Sequence, residues 1–203
     1  IRRQKTGVLF SVYRDLLNGI EEASMNLADT ITVNSKFTKR IVQETWPSLR
    51  NHELQVLYPA LEVVSVDEEG DTTTSIIPNK DYDDDDDDAS HKKDPKLFVS
   101  LNRFERKKNL ALILQAAAEI IKHHHDYDLH IVIAGGYDVR NVENVEYRGE
   151  LAQLADRLQV AVDFRHSISD SERRDLLTRA TAVVYTPEKE HFGIVPLEAM
   201  YHG

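Results

Sequence analysis

The sequence has 203 residues, of which 41% are hydrophobic, and it contains no cysteine. This length and apolar content allow a hydrophobic core and one or two domains. The lack of cysteine excludes disulfides and thiolate metal sites, which is compatible with a cytosolic setting. The formal net charge of −10 argues against a nucleic-acid partner that binds by general electrostatic attraction.

The first 61 residues alternate between helix and strand signals. Residues 7–28 have the apolar spacing of an amphipathic helix. A β-branched run at 30–33 precedes Asn34-Ser35, a typical helix N-cap, and predicts a helix to about residue 45. Residues 54–57 predict another strand. This order predicts part of a doubly wound α/β sheet.

Residues 62–95 have a different composition, rich in acidic, Ser/Thr and Lys residues, with an unbroken aspartate run from Asp83 to Asp88. Such a segment buries too little apolar surface to offset its ordering entropy. We therefore predict a disordered acidic insert between two domains. Cation chelation and a docking role are alternatives, but a calcium loop needs an interspersed glycine and a closing Glu. A self-repelling linker is favoured.

Strands and helices alternate again from residue 96. This rhythm predicts a second Rossmann-like domain over 96–203. A sheet of this kind usually carries further strands, so we expect the chain to be an internal piece of a longer protein. The predicted strands are 97–101, 129–134, 160–164 and 182–185, and the predicted helices are 109–123, 142–158 and 170–179.

A basic loop at residues 102–109 follows the first of these strands. Ligands of open parallel sheets bind at the carboxyl ends of the strands, and cations there suit a pyrophosphate. An ordinary basic surface loop is an equal alternative from spacing alone. Gly135 and Gly136 follow the next strand and allow close backbone approach. They suit a nucleotide pocket, with a plain tight turn as a close competitor.

Glu190 and Glu198 lie on either side of a glycine-containing turn after the apolar strand 182–185. Pro196 fits the first turn of a helix, so we predict a loop carrying Glu190 and a helix that begins near Val195 with Glu198 in its first turn. The helix start would direct backbone N–H groups and a positive dipole end into a crevice, which suits a phosphate. The alternative is a solvated Glu190 and a Glu198 that stabilises the helix dipole.

The segment 185–200, YTPEKEHFGIVPLEAM, resembles the Glu-x7-Glu signature of the retaining nucleotide-sugar glycosyltransferases of family 4. Within that family it is similar to the α-1,3/1,6-mannosyltransferases of the dolichol pathway. The resemblance implies a GT-B fold with two Rossmann-like domains, both incomplete here. Residues 1–61 would end the acceptor-side domain, 62–95 would be the insert, and 96–203 would belong to the donor domain. The long insert departs from the family's usual short connection.

The resemblance also implies roles for individual residues. Arg103 and Lys108 match an Arg-x4-Lys pair that neutralises the donor diphosphate, and Arg106 and Lys107 are further cations of the same loop. Glu190 would contact the mannose and Glu198 the ribose of GDP. Arg103, Lys108 and Glu190 are therefore the predicted catalytic residues. The other predicted donor-binding residues are Gly135, Gly136, His191, Phe192, Gly193, Ile194 and Glu198.

The reaction implied by the resemblance is mannose transfer with retention from GDP-mannose to dolichol-diphosphate-linked Man-GlcNAc2, forming α-1,3 and α-1,6 branches in either order. GDP-mannose is a substrate, no cofactor is expected, and fixed cations would replace a metal. The expected setting is the cytosolic face of the endoplasmic reticulum membrane. Membrane contacts and a complex with other dolichol-pathway glycosyltransferases would involve other parts of the protein. The alternatives are another retaining family member, such as an α-1,2-mannosyltransferase, and a non-catalytic nucleotide-sugar-binding module.

Overall fold

The computed structural model describes residues 8–61, 63–66, 72–75, 93–124 and 128–203. The chain divides into two compact units, residues 1–60 and 61–203. Each unit contains a parallel sheet of its own. Within the described ranges, no helix combines the length and the apolar character needed to cross a membrane.

The first unit has the alternation of helices and strands that the sequence predicts. Its two short strands pair in parallel, with Ile31 opposite Leu54. The side chain of Ser35 caps the second helix by accepting the N–H of Thr38, which confirms the predicted N-cap. The elements are α1 Val8–Asn26, β1 Ile31–Val33, α2 Lys36–Thr45, a 3-10 helix Pro47–Leu49 and β2 Leu54–Val56.

A β-hairpin lies within the segment predicted to be disordered. Strand β3, Val63–Val66, pairs antiparallel with β4, Thr72–Ser75. The prediction of no regular structure over 62–95 is therefore wrong for these eight positions, and also for Asp94 and Pro95, where the next strand begins. Their sequences, VVSV and TTTS, are mostly β-branched and favour strands despite their acidic neighbours. The aspartate run lies outside the described residues, so its role as a linker stays a prediction.

The second unit is built on a four-stranded parallel sheet in the order β7-β6-β5-β8. The chain moves outward from β5 to β7 and then returns to the other side of β5, so the strand order reverses at β5. This is the doubly wound topology that the sequence predicts. The elements are β5 Asp94–Leu101, a 3-10 helix Arg106–Lys108, α3 Ala111–His123, β6 His130–Gly135, α4 Val142–Leu158, β7 Val162–His166, α5 Asp170–Arg179, β8 Ala180–Val183 and α6 Ile194–Tyr201.

Helices cover both faces of this sheet. Successive side chains of β6 point to opposite faces, so that Ile131 and Ile133 belong to one core cluster and Val132 and Ala134 to the other. The first cluster includes Leu114 of α3 and residues of α4, and the second includes residues of α5. A parallel sheet buried on both faces is the expected arrangement, and it fixes the carboxyl ends of all four strands at one edge.

Two strands of the second unit lie about two residues away from their predicted positions. Strand β8 was expected at 182–185 but runs from Ala180 to Val183. It pairs in parallel with β5, with Phe98 opposite Ala182 and Val99 opposite Val183, and the Thr181 hydroxyl donates to the Asp94 carbonyl at 2.6 Å. Tyr185 consequently lies beyond the strand. Similarly, β7 was expected at 160–164 and runs from Val162 to His166.

We expect Leu114→Ala to lower the free energy of unfolding by about 2–5 kcal/mol, because it leaves a cavity in the core. Leu114 is fully buried in α3. Leu112→Ala on the same helix is the matched control, because this side chain is 46% exposed. We expect Leu112→Ala to lower the free energy of unfolding by less than about 1 kcal/mol. Urea unfolding measures both values, and equal losses would contradict this packing of α3.

Candidate functional site

The loops at the carboxyl ends of β5 and β6 are joined by backbone hydrogen bonds. The N–H of Asn102 donates to the Ala134 carbonyl at 2.9 Å, and the N–H of Phe104 donates to the Gly136 carbonyl at 3.3 Å. These bonds bring the basic loop, residues 102–109, against the two glycines. The basic loop and the two glycines therefore lie together at the edge of the sheet where ligands of parallel sheets bind.

Gly135 is required by a close approach between these two loops. Its φ is 154°, and an added Cβ would lie 2.1 Å from the Asn102 carbonyl oxygen. The close approach is therefore to the chain's own backbone. At Gly136, an added Cβ would lie 3.4 Å from Cγ of Arg103, so Arg103 passes directly beside this glycine. A pocket-lining role of Gly135 and Gly136 stays a prediction.

Arg106 is turned away from the glycines and toward helix α4. Its guanidinium donates to Glu146 at 3.1 Å and to Glu150 at 2.6 Å, and its backbone N–H donates to Glu143. Hydrogen bonds to Glu150 and then to Glu146 raise the pKa of Arg106. Arg106 thus anchors the basic loop to α4 and does not contribute a cation to the glycine side of the loop.

Arg103 and Lys107 expose most of their side chains. Lys107 pairs with Glu105 at 2.9 Å, and this hydrogen bond raises the pKa of Lys107. The side chain of Arg103 is 74% exposed, and its contact with Glu105 is 3.9 Å, longer than a hydrogen bond. Of these two cations, Arg103 is the one more readily available to an anionic ligand.

Lys108 and Glu190 form an ion pair across two loops that are 82 residues apart in the sequence. Their side chains are 15% and 26% exposed. The Thr186 hydroxyl donates to the Lys108 carbonyl at 2.7 Å and ties the two loops together a second time. The structure therefore brings together two of the three predicted catalytic residues and places both of them largely out of water.

Glu190 lies among three hydrogen-bond donors. Burial acts to raise its pKa, but bonds from Lys108, the Tyr185 hydroxyl and the His191 N–H outweigh burial and leave the pKa below its ordinary value. Burial, followed by the charge of Glu190, raises the pKa of Tyr185 to about 12. At neutral pH the site therefore contains an ionised Glu190 and a protonated Tyr185.

Helix α6 begins at Ile194 and follows directly on the loop that carries Glu190, His191, Phe192 and Gly193. This confirms the predicted helix start and the position of Pro196 in its first turn. Glu198, however, lies in the second turn and not in the first. Its carboxylate pairs with Arg173 of α5. Contact between Glu198 and a ribose stays a prediction.

Sequence reasoning missed two residues that contact predicted site residues. Tyr185 was assigned to a strand. The signal that could have identified it is an aromatic residue with a hydroxyl group just before the loop that carries Glu190. Arg173 gave no signal, because it lies on α5 and reaches Glu198 only through the packing of two helices. Across the described ranges, no group of three His, Asp or Glu side chains is placed to hold a metal ion.

A model of the family "Glycosyl transferases group 1" matches residues 81–203. The chain is 41% identical over 203 residues to the α-1,3/1,6-mannosyltransferase ALG2 of Homo sapiens, covering 98% of the chain and 46% of that relative. The chain is 35% identical over 224 residues to the enzyme of the same name from Saccharomyces cerevisiae, covering 98% of the chain and 42% of that relative. The chain thus spans about half the length of the curated relatives it matches.

Two solved structures share the fold at low sequence identity. Sucrose-phosphate synthase from Thermosynechococcus elongatus has a TM-score of 0.66 and 16% identity over 93% of this chain and 42% of its own. TarM has a TM-score of 0.60 and 13% identity, and the match covers 100% of this chain and 32% of the TarM chain. These similarities confirm the predicted α/β fold of the GT-B class. Since the family model covers more than half of the sequence, this chain belongs to the group 1 glycosyl transferases.

Proposed function

We propose that this chain carries the donor-sugar site of a retaining mannosyltransferase that uses GDP-mannose. The observation that carries the proposal is the ion pair between Lys108 and Glu190 at the carboxyl edge of the sheet. It joins a cation suited to a diphosphate with a carboxylate suited to sugar hydroxyls. The similarity to two α-1,3/1,6-mannosyltransferases over 98% of the chain supports mannose as the transferred sugar.

In this proposal the two residues act on different parts of the donor. Sugar hydroxyls donate to the ionised Glu190, and such charge-assisted bonds discriminate between epimers. As the glycosidic bond breaks, negative charge develops on the departing diphosphate. We expect Lys108 and the exposed Arg103 to stabilise that charge, because electrostatic stabilisation of the transition state is usually the largest single contribution to an enzyme's rate. Glu198, held by Arg173, would bind the ribose.

We further propose that the acceptor is dolichol-diphosphate-linked Man-GlcNAc2 and that the products are the α-1,3 and α-1,6 branches of the N-glycan precursor. The branch linkages follow from the names of the relatives. A lipid-linked acceptor would place the reaction at a membrane surface, and we propose the cytosolic face of the endoplasmic reticulum membrane. Contacts with the membrane and with other dolichol-pathway glycosyltransferases would be made by other segments of the full-length protein.

We expect the full-length protein to bind GDP-mannose in preference to UDP-glucose. The variants Arg103→Ala, Lys108→Ala and Glu198→Ala should each weaken GDP-mannose binding by about tenfold or more, because each loses a charge-assisted hydrogen bond. Isothermal titration calorimetry measures these affinities. Lys107→Ala is the matched control. It removes one positive charge from the same loop, but this side chain is 72% exposed and pairs with Glu105, so the affinity of this variant for GDP-mannose should stay within about twofold of the wild type.

Three other outcomes would change the proposal in different ways. A preference for UDP-glucose would indicate another retaining member of the family. Binding of GDP-mannose without transfer to the lipid acceptor would indicate a nucleotide-sugar-binding module. If the folded full-length protein binds neither donor, the assignment of the donor site is wrong.

A further inference from the structure

We propose that Asn144 is a positioning residue that joins the basic loop to the glycine loop, residues 135–140, and thereby places Arg103 for the donor diphosphate. This inference rests on the proposed function. Asn144 lies in the first turn of α4 and is 5% exposed. A buried asparagine needs partners for both ends of its amide group, and the partners of Asn144 lie in these two loops.

The side-chain amide of Asn144 bonds to the backbone of each loop. Its oxygen accepts the N–H of Asp138 in the glycine loop at 3.0 Å. Its nitrogen donates to the carbonyl of Phe104 in the basic loop at 3.1 Å. Asparagine suits this place because one planar group offers an acceptor and a donor. The reverse orientation of the amide would set its oxygen against a carbonyl, so the two partners also determine which way the amide faces.

The two sides of the link that do not belong to the basic loop are fixed independently. The start of α4 is held by Asn141, whose side chain caps the helix and whose backbone N–H donates to the Asp138 carbonyl at 3.0 Å. The glycine loop is tied to the end of β7, because the N–H of Ser167 donates to the Gly135 carbonyl at 2.8 Å. Asn144 therefore holds the basic loop to a frame made by α4 and the sheet.

This link acts on the site through Arg103, which precedes Phe104. The backbone of Phe104 is held on both sides, since its N–H donates to the Gly136 carbonyl at 3.3 Å and its carbonyl accepts from Asn144. The Arg103 side chain is 74% exposed, and a long exposed cation loses conformational entropy when it binds a ligand. A backbone that is already fixed lowers the total ordering cost of binding. Asn144 supplies this fixed backbone and Arg103 the charge.

The first test asks whether Asn144 acts through Arg103. In the full-length protein, Asn144→Ala should weaken GDP-mannose binding by about fivefold, because the Phe104 carbonyl loses its donor and Arg103 loses its fixed backbone. Arg103→Ala removes the group that Asn144 positions, so adding Asn144→Ala to it should weaken binding by less than about twofold more. Isothermal titration calorimetry measures the affinities. Additive losses would mean that Asn144 supports the fold in general, and they would overturn the proposal.

Leu151→Ala is the matched control for stability. Leu151 lies two turns further along α4 and is 1% exposed in the core, so its truncation leaves a cavity. It should lower the midpoint of urea unfolding at least as far as Asn144→Ala does, while the dissociation constant for GDP-mannose stays within about twofold of the wild type. Calorimetry separates these effects, because unfolded protein lowers the apparent stoichiometry and not the affinity of the folded fraction. Equally weak binding in both variants would overturn the proposal.

The second test measures the link in the wild-type protein and does not depend on the folding of a variant. The backbone N–H of Asp138 should exchange slowly with solvent, because Asn144 accepts it. Hydrogen exchange resolved to single amides gives this rate, and exchange at the rate of an unprotected amide would overturn the proposal.

The two tests also separate this inference from the proposed function. If the wild-type protein binds no GDP-mannose, the proposed function fails and the role of Asn144 fails with it, even where the Asp138 N–H is protected. If the wild-type protein binds GDP-mannose and Asn144→Ala binds it with unchanged affinity, only the role of Asn144 is overturned.

Discussion

Replacing Lys108 with methionine is expected to lower the rate of mannose transfer by the full-length protein about 100- to 1,000-fold. Methionine keeps most of the apolar stem but removes the ammonium group that faces Glu190. The departing diphosphate then loses a fixed cation in a site where Lys108 is 15% exposed and little water can replace it. The measurement is kcat with GDP-mannose and the lipid-linked acceptor at saturating concentrations of both.

The same substitution should raise the pKa of Glu190, because Lys108 is the principal group that lowers it against burial. A carboxyl with a lowered folded-state pKa contributes stability above its ordinary value of 4.5 and loses this contribution as the pH falls through the folded value. Lys108→Met should therefore lower the free energy of unfolding at pH 7 by about 1–2 kcal/mol. This loss lies between the typical losses for breaking an exposed ion pair and for breaking a buried one. The difference from wild type should shrink below about pH 4.5.

Lys107→Met is the control for this prediction, since it is the identical change at the next residue. The side chain of Lys107 is 72% exposed and pairs with Glu105, so transfer should fall by less than about fivefold. A comparable loss in both variants would show that the total charge of the loop matters and not the contact between Lys108 and Glu190. A Lys108→Met protein with wild-type kcat would remove Lys108 from the mechanism.

The parts of the fold that local sequence signals determine could be predicted well. Helix α4 occupies residues 142–158 as expected, because Asn141 caps its start and Gln159 ends it in a left-handed conformation. Helix α5 likewise has a capping box between Ser169 and Glu172. Caps and periodicity act over a few residues, so a single sequence contains all the information needed to place these helices.

Features that depend on distant residues could not be predicted in the same way. The position of β8 depends on its pairing with β5 and on the bond from Thr181 to Asp94, 87 residues away, and the shift of two positions places Tyr185 beyond the strand. The orientation of Arg106 is decided by the carboxylates of α4, about 40 residues further along the chain. The motif spacing identified the loops that carry the site. It did not identify which cation would meet which carboxylate.

Gly135→Ala is expected to have the largest effect on the fold, lowering the free energy of unfolding of the second unit by about 3 kcal/mol or more. An added Cβ would lie 2.1 Å from the carbonyl oxygen and 2.6 Å from the carbonyl carbon of Asn102. Both atoms are backbone, so no side-chain rotation relieves the overlap. The φ of 154° is also one that an alanine rarely adopts.

The overlap would separate the ends of β5 and β6, and Arg103 follows directly on Asn102. We therefore expect weaker GDP-mannose binding in the folded fraction as well as a lower midpoint of urea unfolding. Gly149→Ala is the matched control, because no atom outside its own helix lies within 4 Å of the added Cβ and the residue is inside α4. It should stabilise the protein by about 0.5–1 kcal/mol. An unfolding midpoint of Gly135→Ala equal to that of the wild type would contradict the close approach of the loops that follow β5 and β6. The position of Arg103 beside Gly136 would then also be wrong.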